Sequence, residues 1–334
     1  MTTAYRVLVI GGTTNFATEP SSVDRELLAL ARLRAGVGQG GTQLGVMTFA
    51  QGSADIAQFY AKQGAARVFA PAQSMTDTLP AARVELAVQA ITEFGPDVVL
   101  APHDIDSIEL LGRVAVRLGN SEAGSRPVGV VTGANDVDDA LNIHKNVLAG
   151  EYDSTVRVAG LPLVTLRPNS VDTAKAPTAM GEGVLTTYTL PGYDTVHITE
   201  VTEKPASARP NLEEAAIVVA AGRGIGGNLA PIEDLADALG AAIGSTRAVT
   251  DAGWLDHSTQ IGQTGKSVSP ELYVSAGISG ALQQKVGMDT SKTIVAINKD
   301  ADAPIFEIAD FGVIGDLFTV IPQVVEEIKR RRNA

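Results

Sequence analysis

Residues that could hold a ligand are concentrated between positions 245 and 317 of the sequence. Small residues, amides, hydroxyls and an arginine recur there in short groups at 246–247, 261–265, 279–284, 298–300 and 316–317. In open α/β sheets ligands bind beyond the carboxyl ends of the strands, where such groups would fall. The groups offer many hydrogen-bond donors and no conspicuous general acid or base. They favour holding a cofactor over transforming a substrate, although ordinary loops share this composition.

A glycine-rich motif precedes this region, directly after a predicted strand. The run GRGIGG at 222–227 matches the G-x-G-x-x-G pattern, in which bare backbone amides approach a pyrophosphate. A standard NAD site needs an acidic residue about 20 residues further on to bind the ribose. That window here holds AIGS at 242–245, and the first acid beyond it is Asp251. A nicotinamide-dependent oxidoreductase is therefore an alternative with little support, and a plain glycine turn fits the motif equally well.

Other catalytic and metal-binding patterns are missing from the sequence. The run at 262–267 resembles the end of a P-loop, but Gln260 stands where that motif needs glycine. The four histidines form no close metal-binding pair. The absence of cysteine excludes disulfides, zinc–thiolate sites, iron–sulfur clusters and thiol nucleophiles. No G-x-S-x-G elbow supplies a serine nucleophile.

Composition and charge narrow the function classes further. The 334 residues carry a formal net charge of −12, which disfavours general binding to nucleic acid. With 45% hydrophobic and 19% charged residues, the chain can bury a sizeable core. No run approaches about 18 consecutive apolar residues, so no membrane span is expected. The first residues match neither a signal peptide nor a transit segment, and we expect a cytoplasmic protein.

The elements that must position the candidate residues follow from the hydrophobic pattern. Alternating strands and helices are predicted in the first half, with strands at 7–10, 44–49, 67–70 and 97–101 and helices at 22–34, 53–63, 79–94 and 107–118. Such alternation is typical of βαβ units in a parallel sheet. Ser22 and Ser53 are expected to cap the first two helices. From about 128 to 198 the chain is richer in strands, predicted at 155–159, 163–166 and 195–201.

A polar segment with two prolines, at 203–212, predicts a linker. We therefore expect an N-terminal α/β domain at 1–205 and a C-terminal domain at 206–334. The second domain has predicted strands at 215–221, 242–250, 272–276 and 293–298 and predicted helices at 231–239 and 315–331. The turn at 277–280 is expected to open a further helix, whose first amides could hold a negative oxygen.

Several runs in the last third of the chain resemble one protein family. They are DAGW at 251–254, QIGQTG at 260–265, PELY at 270–273, GISGA at 277–281, TIVAINKD at 293–300 and APIF at 303–306. These runs are similar to the alpha subunit of electron transfer flavoprotein, whereas the earlier part of the chain resembles that family only in pattern. The resemblance implies an N-terminal βαβ domain with a β-rich end, followed by a flavodoxin-like, doubly wound parallel-sheet domain that binds FAD.

The resemblance also implies a function and partners. The chain would be an FAD-bearing electron carrier rather than a substrate-converting enzyme, in a heterodimer with the electron transfer flavoprotein beta subunit, and the N-terminal domain at 1–205 would carry the partner-subunit interface. Electrons would arrive from flavin dehydrogenases, such as the acyl-CoA dehydrogenases of fatty acid β-oxidation. They would leave to a quinone oxidoreductase or another acceptor.

The resemblance further implies which residues contact FAD: Arg223, Thr246, Arg247, Ile261, Gly262, Gln263, Thr264, Ser279, Gly280, Ala281, Leu282, Gln283, Gln284, Asn298, Asp316 and Leu317. Arg247 would lie beside the isoalloxazine ring and the Thr264 hydroxyl near its N5 atom. Many family members have histidine at the position of Gln284. Since a glutamine can donate a hydrogen bond but carries no charge, Arg247 is expected to supply most of the positive charge.

Overall fold

A computed structural model describes residues 5–11, 21–35, 44–75, 80–119, 126–147, 152–190, 199–200 and 209–332. The chain divides into two compact units, Met1–Lys145 with Asp153–Glu203 and Asn146–Tyr152 with Lys204–Ala334. Most of the predicted linker and the predicted strand at 195–201 lies outside the described residues. The expected domain boundary at 205 falls there too, and it stays a prediction.

The N-terminal part of the chain is built on a parallel sheet. The strands of this part of the chain are β1 Val7–Ile10, β2 Leu44–Met47, β3 Arg67–Pro71, β4 Val98–Pro102, β5 Val128–Ala134, β6 Asp136–Val137, β7 Ile143–Val147, β8 Tyr152–Val156, β9 Leu161–Leu166 and β10 Val184–Tyr188. Seven of them form one sheet in the order β10-β3-β2-β1-β4-β9-β5, with parallel neighbours throughout. Strands β6, β7 and β8 form a separate small sheet.

The helices of this part are α1 Ser22–Arg34, α2 Ala54–Ala61, α3 Pro80–Phe94 and α4 Ile105–Gly119. They cover both faces of the sheet, and alternate residues of β1 therefore lie in two different hydrophobic cores. Val7 and Val9 lie in one core, while Leu8 and Ile10 lie in the other. A strand buried on both faces has the continuous apolar run seen in the sequence.

The predicted helix caps are half right. The first helix is capped by Ser21 rather than Ser22, since the Ser21 hydroxyl accepts from the Asp24 amide and the Asp24 carboxylate accepts from the Ser21 amide. This reciprocal arrangement is a capping box, with the acid three residues after the cap. The Ser53 hydroxyl caps α2 as predicted, accepting from the Ile56 amide. The strand predicted at 155–159 lies three residues earlier, as β8.

The second unit contains a five-stranded parallel sheet. Its elements are β11 Ile217–Ala221, α5 Ala230–Leu239, β12 Ala242–Ser245, α6 Arg247–Asp251, β13 Leu272–Ala276, α7 Leu282–Lys285, β14 Ile294–Asn298, β15 Phe311–Ile314 and α8 Leu317–Arg332. The strand order is β12-β11-β13-β14-β15. This is the flavodoxin-like order 2-1-3-4-5, in which ligands bind at the switch point between the first and third strands. The predicted fold class is confirmed.

The predicted strand at 242–250 is wrong in its second half. Strand β12 ends at Ser245, and the chain then turns into α6, with the Val249 and Thr250 amides donating to the Thr246 carbonyl. Val249 and Thr250 are buried. A short buried helical turn has the same apolar run as a buried strand, so hydrophobic periodicity alone does not separate the two. The helix expected after 277–280 is only the four-residue α7, and β15 was not predicted.

Candidate cofactor-binding site

A cavity of about 740 Å³ opens at the carboxyl ends of the strands in the second unit. Its walls come from the turns after β11, β12, β13 and β14 and from the loop 260–264. This position is the switch point at which doubly wound folds bind ligands. Its volume falls within the range of about 300–1,000 Å³ that is typical of ligand clefts.

Most of the predicted contact residues line this cavity. They are Arg223, Thr246, Arg247, Ile261, Gly262, Gln263, Thr264, Ser279, Ala281, Gln283, Gln284 and Asn298. The lining also includes residues that were not predicted as contacts: Gly224, Ala248, Gln260, Gly277, Ile278, Lys299 and Asp300. All of these except Ala248 belong to motifs named in the sequence analysis, so those motifs were a usable signal.

Four predicted residues lie elsewhere. Gly280 and Leu282 are not part of the cavity lining, and the Leu282 side chain points largely to solvent. Asp316 and Leu317 line a smaller cavity of about 100 Å³, which shares Asn298 with the large one. The Asp316 carboxylate accepts from the Phe318 amide at 2.9 Å, at the start of α8, and Leu317 is buried in the hydrophobic core.

Glycines let two strand ends meet below the cavity. A Cβ atom on Gly222 would lie 2.2 Å from the Gly277 carbonyl oxygen, and one on Gly224 would lie 2.8 Å from the Gly277 Cα. The Gly224 amide donates to that same Gly277 oxygen at 3.0 Å. Gly277 has a φ of +65°, in the left-handed region that favours glycine. The turns after β11 and β13 therefore present bare backbone to the cavity.

The loop 260–264 forms the opposite wall and is held on both sides. The Ile261 amide donates to the Ser245 carbonyl at 2.9 Å, and the Gln263 amide donates to the Gln283 carbonyl at 2.8 Å. Gly262 has a φ of +136°, and a Cβ there would lie 2.6 Å from the Gln283 oxygen. The loop is thus fixed against the end of β12 and against α7.

Two buried glutamines contribute fixed amides to the cavity wall. The Gln260 Oε1 atom lies 2.8 Å from the Thr250 hydroxyl, and its Nε2 atom donates to the Thr264 hydroxyl oxygen at 3.0 Å. The Gln284 Nε2 atom donates to the Tyr273 hydroxyl at 2.9 Å. Tyr273 is completely buried, and this burial raises the pKa of its hydroxyl, so it stays neutral.

Positive charge at the cavity comes from arginine and lysine. Arg247, on the first turn of α6, is largely exposed, and its Nε atom lies 3.2 Å from the Asp251 carboxylate one turn along the helix. Arg223 stands on the short 3₁₀ turn at Arg223–Ile225, and Lys299 follows β14. No histidine is among the described residues that line the cavity.

Family models match both parts of the chain. Residues 211–289 match the electron transfer flavoprotein FAD-binding domain, and residues 14–193 match the electron transfer flavoprotein domain. Electron transfer flavoprotein subunit alpha of Mycobacterium leprae is 41% identical over 275 residues, which are 81% of this chain and 83% of the relative. This chain belongs to the electron transfer flavoprotein alpha-subunit family. The electron transfer flavoprotein subunit alpha of Syntrophomonas wolfei is 38% identical over 87% of this chain and 91% of the relative. That of Bacillus subtilis is 35% identical over 93% of this chain and 94% of the relative.

FAD is the cofactor of this chain, since residues 211–289 match the family's FAD-binding domain. The residues of the cavity fit such a group. The Thr246 hydroxyl is buried at the cavity, and no hydrogen-bond partner for it exists among the described residues. A buried polar atom without a partner is costly unless a ligand satisfies it. Bare glycine backbone and arginine are suited to phosphate oxygens, and an amide-rich wall suits a ring rimmed with polar atoms.

Two further absences concern the described residues only. None of their helices has both the length and the apolar character needed to cross a bilayer. They also contain no cluster of three or more histidine, aspartate or glutamate side chains placed to hold a metal ion.

Proposed function

We propose that FAD occupies the cavity of the second unit and that the chain carries electrons rather than converting a substrate. The single observation behind this proposal is the wall itself: amides, hydroxyls and guanidinium groups surround a large cleft, and Asp300 is the one carboxylate among the described residues that line it. When bound, FAD supplies the electron-accepting chemistry, and the protein binds it, orients it and sets its electrostatic surroundings.

The residues divide by what they can offer to the cofactor. Arg247 places a permanent positive charge at one wall, which stabilises negative charge that arrives with an electron. The Thr246 and Thr264 hydroxyls and the Gln263 and Gln284 amides can bond the rim of the ring. Gly224 and Arg223 can bind phosphate oxygens, because bare backbone and guanidinium are suited to them.

The smaller cavity adjoins the large one through shared residues, namely Gly224, Gly277, Asn298 and Lys299. The two cavities are therefore neighbours, and an extended dinucleotide needs adjoining spaces of this kind. We propose that the adenosine half of FAD lies toward Asp316 and Leu317.

We propose a heterodimer with an electron transfer flavoprotein beta subunit, which the alpha-subunit family membership supports. An exposed apolar strand edge is also compatible with a partner chain. Phe311 and Ile314 on the edge strand β15 are each 65% exposed, and natural proteins rarely leave such edges uncovered. We further propose that flavin dehydrogenases, such as the acyl-CoA dehydrogenases of fatty acid β-oxidation, supply the electrons. A quinone oxidoreductase or another acceptor would receive them.

The geometry gives no support to a nicotinamide-dependent oxidoreductase. Residues after Gly222 form a 3₁₀ turn, and α5 begins only at Ala230, so no helix opens within the glycine motif. A dinucleotide fingerprint places the pyrophosphate at the start of such a helix.

A reduction experiment tests the proposal. The chain is co-expressed with a beta subunit, and the purified complex is mixed without oxygen with an acyl-CoA dehydrogenase and its substrate. We expect a yellow complex whose flavin band bleaches only when dehydrogenase and substrate are both present. A colourless complex, or a bound flavin that no flavin dehydrogenase reduces, would contradict the proposed function.

A further inference from the structure

The side chains of Thr250, Gln260 and Thr264 form a hydrogen-bonded row that ends at the cavity. Thr250 is 4% exposed and Gln260 is 6% exposed, whereas Thr264 lies at the surface of the cavity wall. The Thr250 oxygen lies 2.8 Å from Gln260 Oε1, and Gln260 Nε2 lies 3.0 Å from the Thr264 oxygen. Thr250 itself does not line the cavity.

The row has a direction, because its groups differ in what they can donate. A glutamine amide has one accepting oxygen and one donating nitrogen, and a hydroxyl has a single proton. When Thr250 donates to Gln260 Oε1, the nitrogen of that amide faces Thr264, and the Thr264 oxygen accepts from it. The one proton of the Thr264 hydroxyl is then left for a ligand in the cavity.

We infer that Gln260 is a positioning residue that makes the Thr264 hydroxyl a hydrogen-bond donor toward the bound cofactor ring, with Thr250 fixing the orientation of Gln260. This inference rests on the proposed function, in which the ring of FAD occupies the cavity. It goes beyond contact residues, since neither the Gln260 amide nor the Thr250 hydroxyl has to touch the cofactor.

The hydroxyl proton of Thr250 can go to either of two acceptors, and the acceptor that it bonds sets the direction of the hydrogen bonds along the row. The Thr250 oxygen lies 2.8 Å from Gln260 Oε1 and 3.0 Å from the Arg247 carbonyl oxygen. If Thr250 donated to Arg247, the Gln260 amide would be free to turn, and Thr264 would donate to Gln260 rather than to the cofactor. The orientation of a glutamine side-chain amide follows from its hydrogen-bond partners. Removing the Thr250 hydroxyl proton therefore leaves the Gln260 amide free to turn.

A directed donor changes how readily the ring accepts an electron. Electron density gathers on the ring during reduction, and a preorganised donor stabilises it without reorganisation. Loss of the direction therefore lowers the midpoint potential of the bound flavin for the first electron. We expect about a tenfold change in the equilibrium constant, which corresponds to about 59 mV for a one-electron step.

Four variants of the complex with the beta subunit test this inference. Thr250→Val keeps the shape of the side chain and removes its proton, and Gln260→Met removes the amide. Both are expected to lower the midpoint potential and to shift the absorption bands of the bound flavin. Thr250→Ser should restore the parent values. Thr290→Val is the matched control, since Thr290 bonds Ser269 at 2.6 Å and does not line the cavity.

The outcomes are distinguishable. A parent potential in both Thr250→Val and Gln260→Met, with FAD still bound, would overturn the inference while leaving the proposed function intact. A shift in Thr290→Val equal to that in Thr250→Val would also overturn it, because the effect would then be general. A parent complex without FAD would refute the proposed function itself. Should Thr250→Val fail to fold, Gln260→Met carries the test.

Discussion

The contact between Gly222 and Gly277 allows a sharp test of how the cavity floor is built. Gly222 has φ −104° and ψ 179°, ordinary extended backbone that alanine adopts without strain. The whole cost of Gly222→Ala is therefore steric. The new Cβ would lie 2.2 Å from the Gly277 carbonyl oxygen and 2.6 Å from the Ile278 side chain.

The size of the effect follows from that distance. Favourable contact needs roughly 3.5 Å, so the Gly277 carbonyl must move by about 1 Å. Such a shift strains the hydrogen bond that it accepts from the Gly224 amide at 3.0 Å. Overpacking costs about 1–3 kcal/mol and a lost hydrogen bond about 0.5–1.5 kcal/mol, so we expect a loss of about 2–4 kcal/mol. At about 2–4 °C per kcal/mol, the unfolding temperature falls by roughly 5–15 °C.

Thermal unfolding and flavin content measure this prediction together. Because Gly224 and Gly277 line the cavity, Gly222→Ala should also reduce the FAD that copurifies with the complex. The control is Gly226→Ala, whose φ of +57° costs about 1–2 kcal/mol but whose Cβ meets nothing within 4 Å, so FAD should be retained. A Gly222→Ala protein with parent unfolding temperature and parent flavin content would refute the reasoning.

Three further changes have expected outcomes. Glu26→Ala should destabilise the protein by about 3 kcal/mol in denaturant unfolding, because the buried carboxylate accepts from the three backbone amides of 169–171 at 2.9–3.1 Å. Burial, with nearby cationic side chains, lowers the pKa of His103 from 6.5 to about 4. The unfolded chain therefore binds the extra proton first, and stability falls as the pH drops from 6.5 toward 4; His103→Gln should flatten that part of the profile. Gly112→Ala, in the interior of α4 with no atom within 4 Å of its Cβ, should raise stability by about 0.5–1 kcal/mol.

Elements with strong local signals could be predicted from the sequence. Helix α1 has the predicted bounds at 22–34, because its apolar spacing is a local property, although its capping serine is Ser21 rather than the predicted Ser22. Strands β1 and β13 also have the predicted bounds, since each is a short apolar run buried in the sheet. Strand β15 was missed although Phe311–Ile314 is also an apolar run, and the structure places this run exposed at the sheet edge rather than in the core.

The loops that form the site could be predicted from the sequence, but the hydrogen bonds between their side chains could not. The groups around Thr246, 261–264 and 279–284 were recognisable by composition and by resemblance, and the structure brings most of them to one cavity. The role of Gln260 depends on Thr250, ten residues earlier, which lies on the short helical turn α6. That turn was predicted as a strand. A side-chain network across a misassigned helix has no signature in one sequence.

Hydrogen–deuterium exchange with and without FAD is the most direct test of where the cofactor binds. The account predicts that FAD protects backbone amides at 222–225, 246–248, 260–264 and 277–284, in the complex with the beta subunit. Binding of FAD with no protection in these segments, or with protection only in the first unit, would contradict the account.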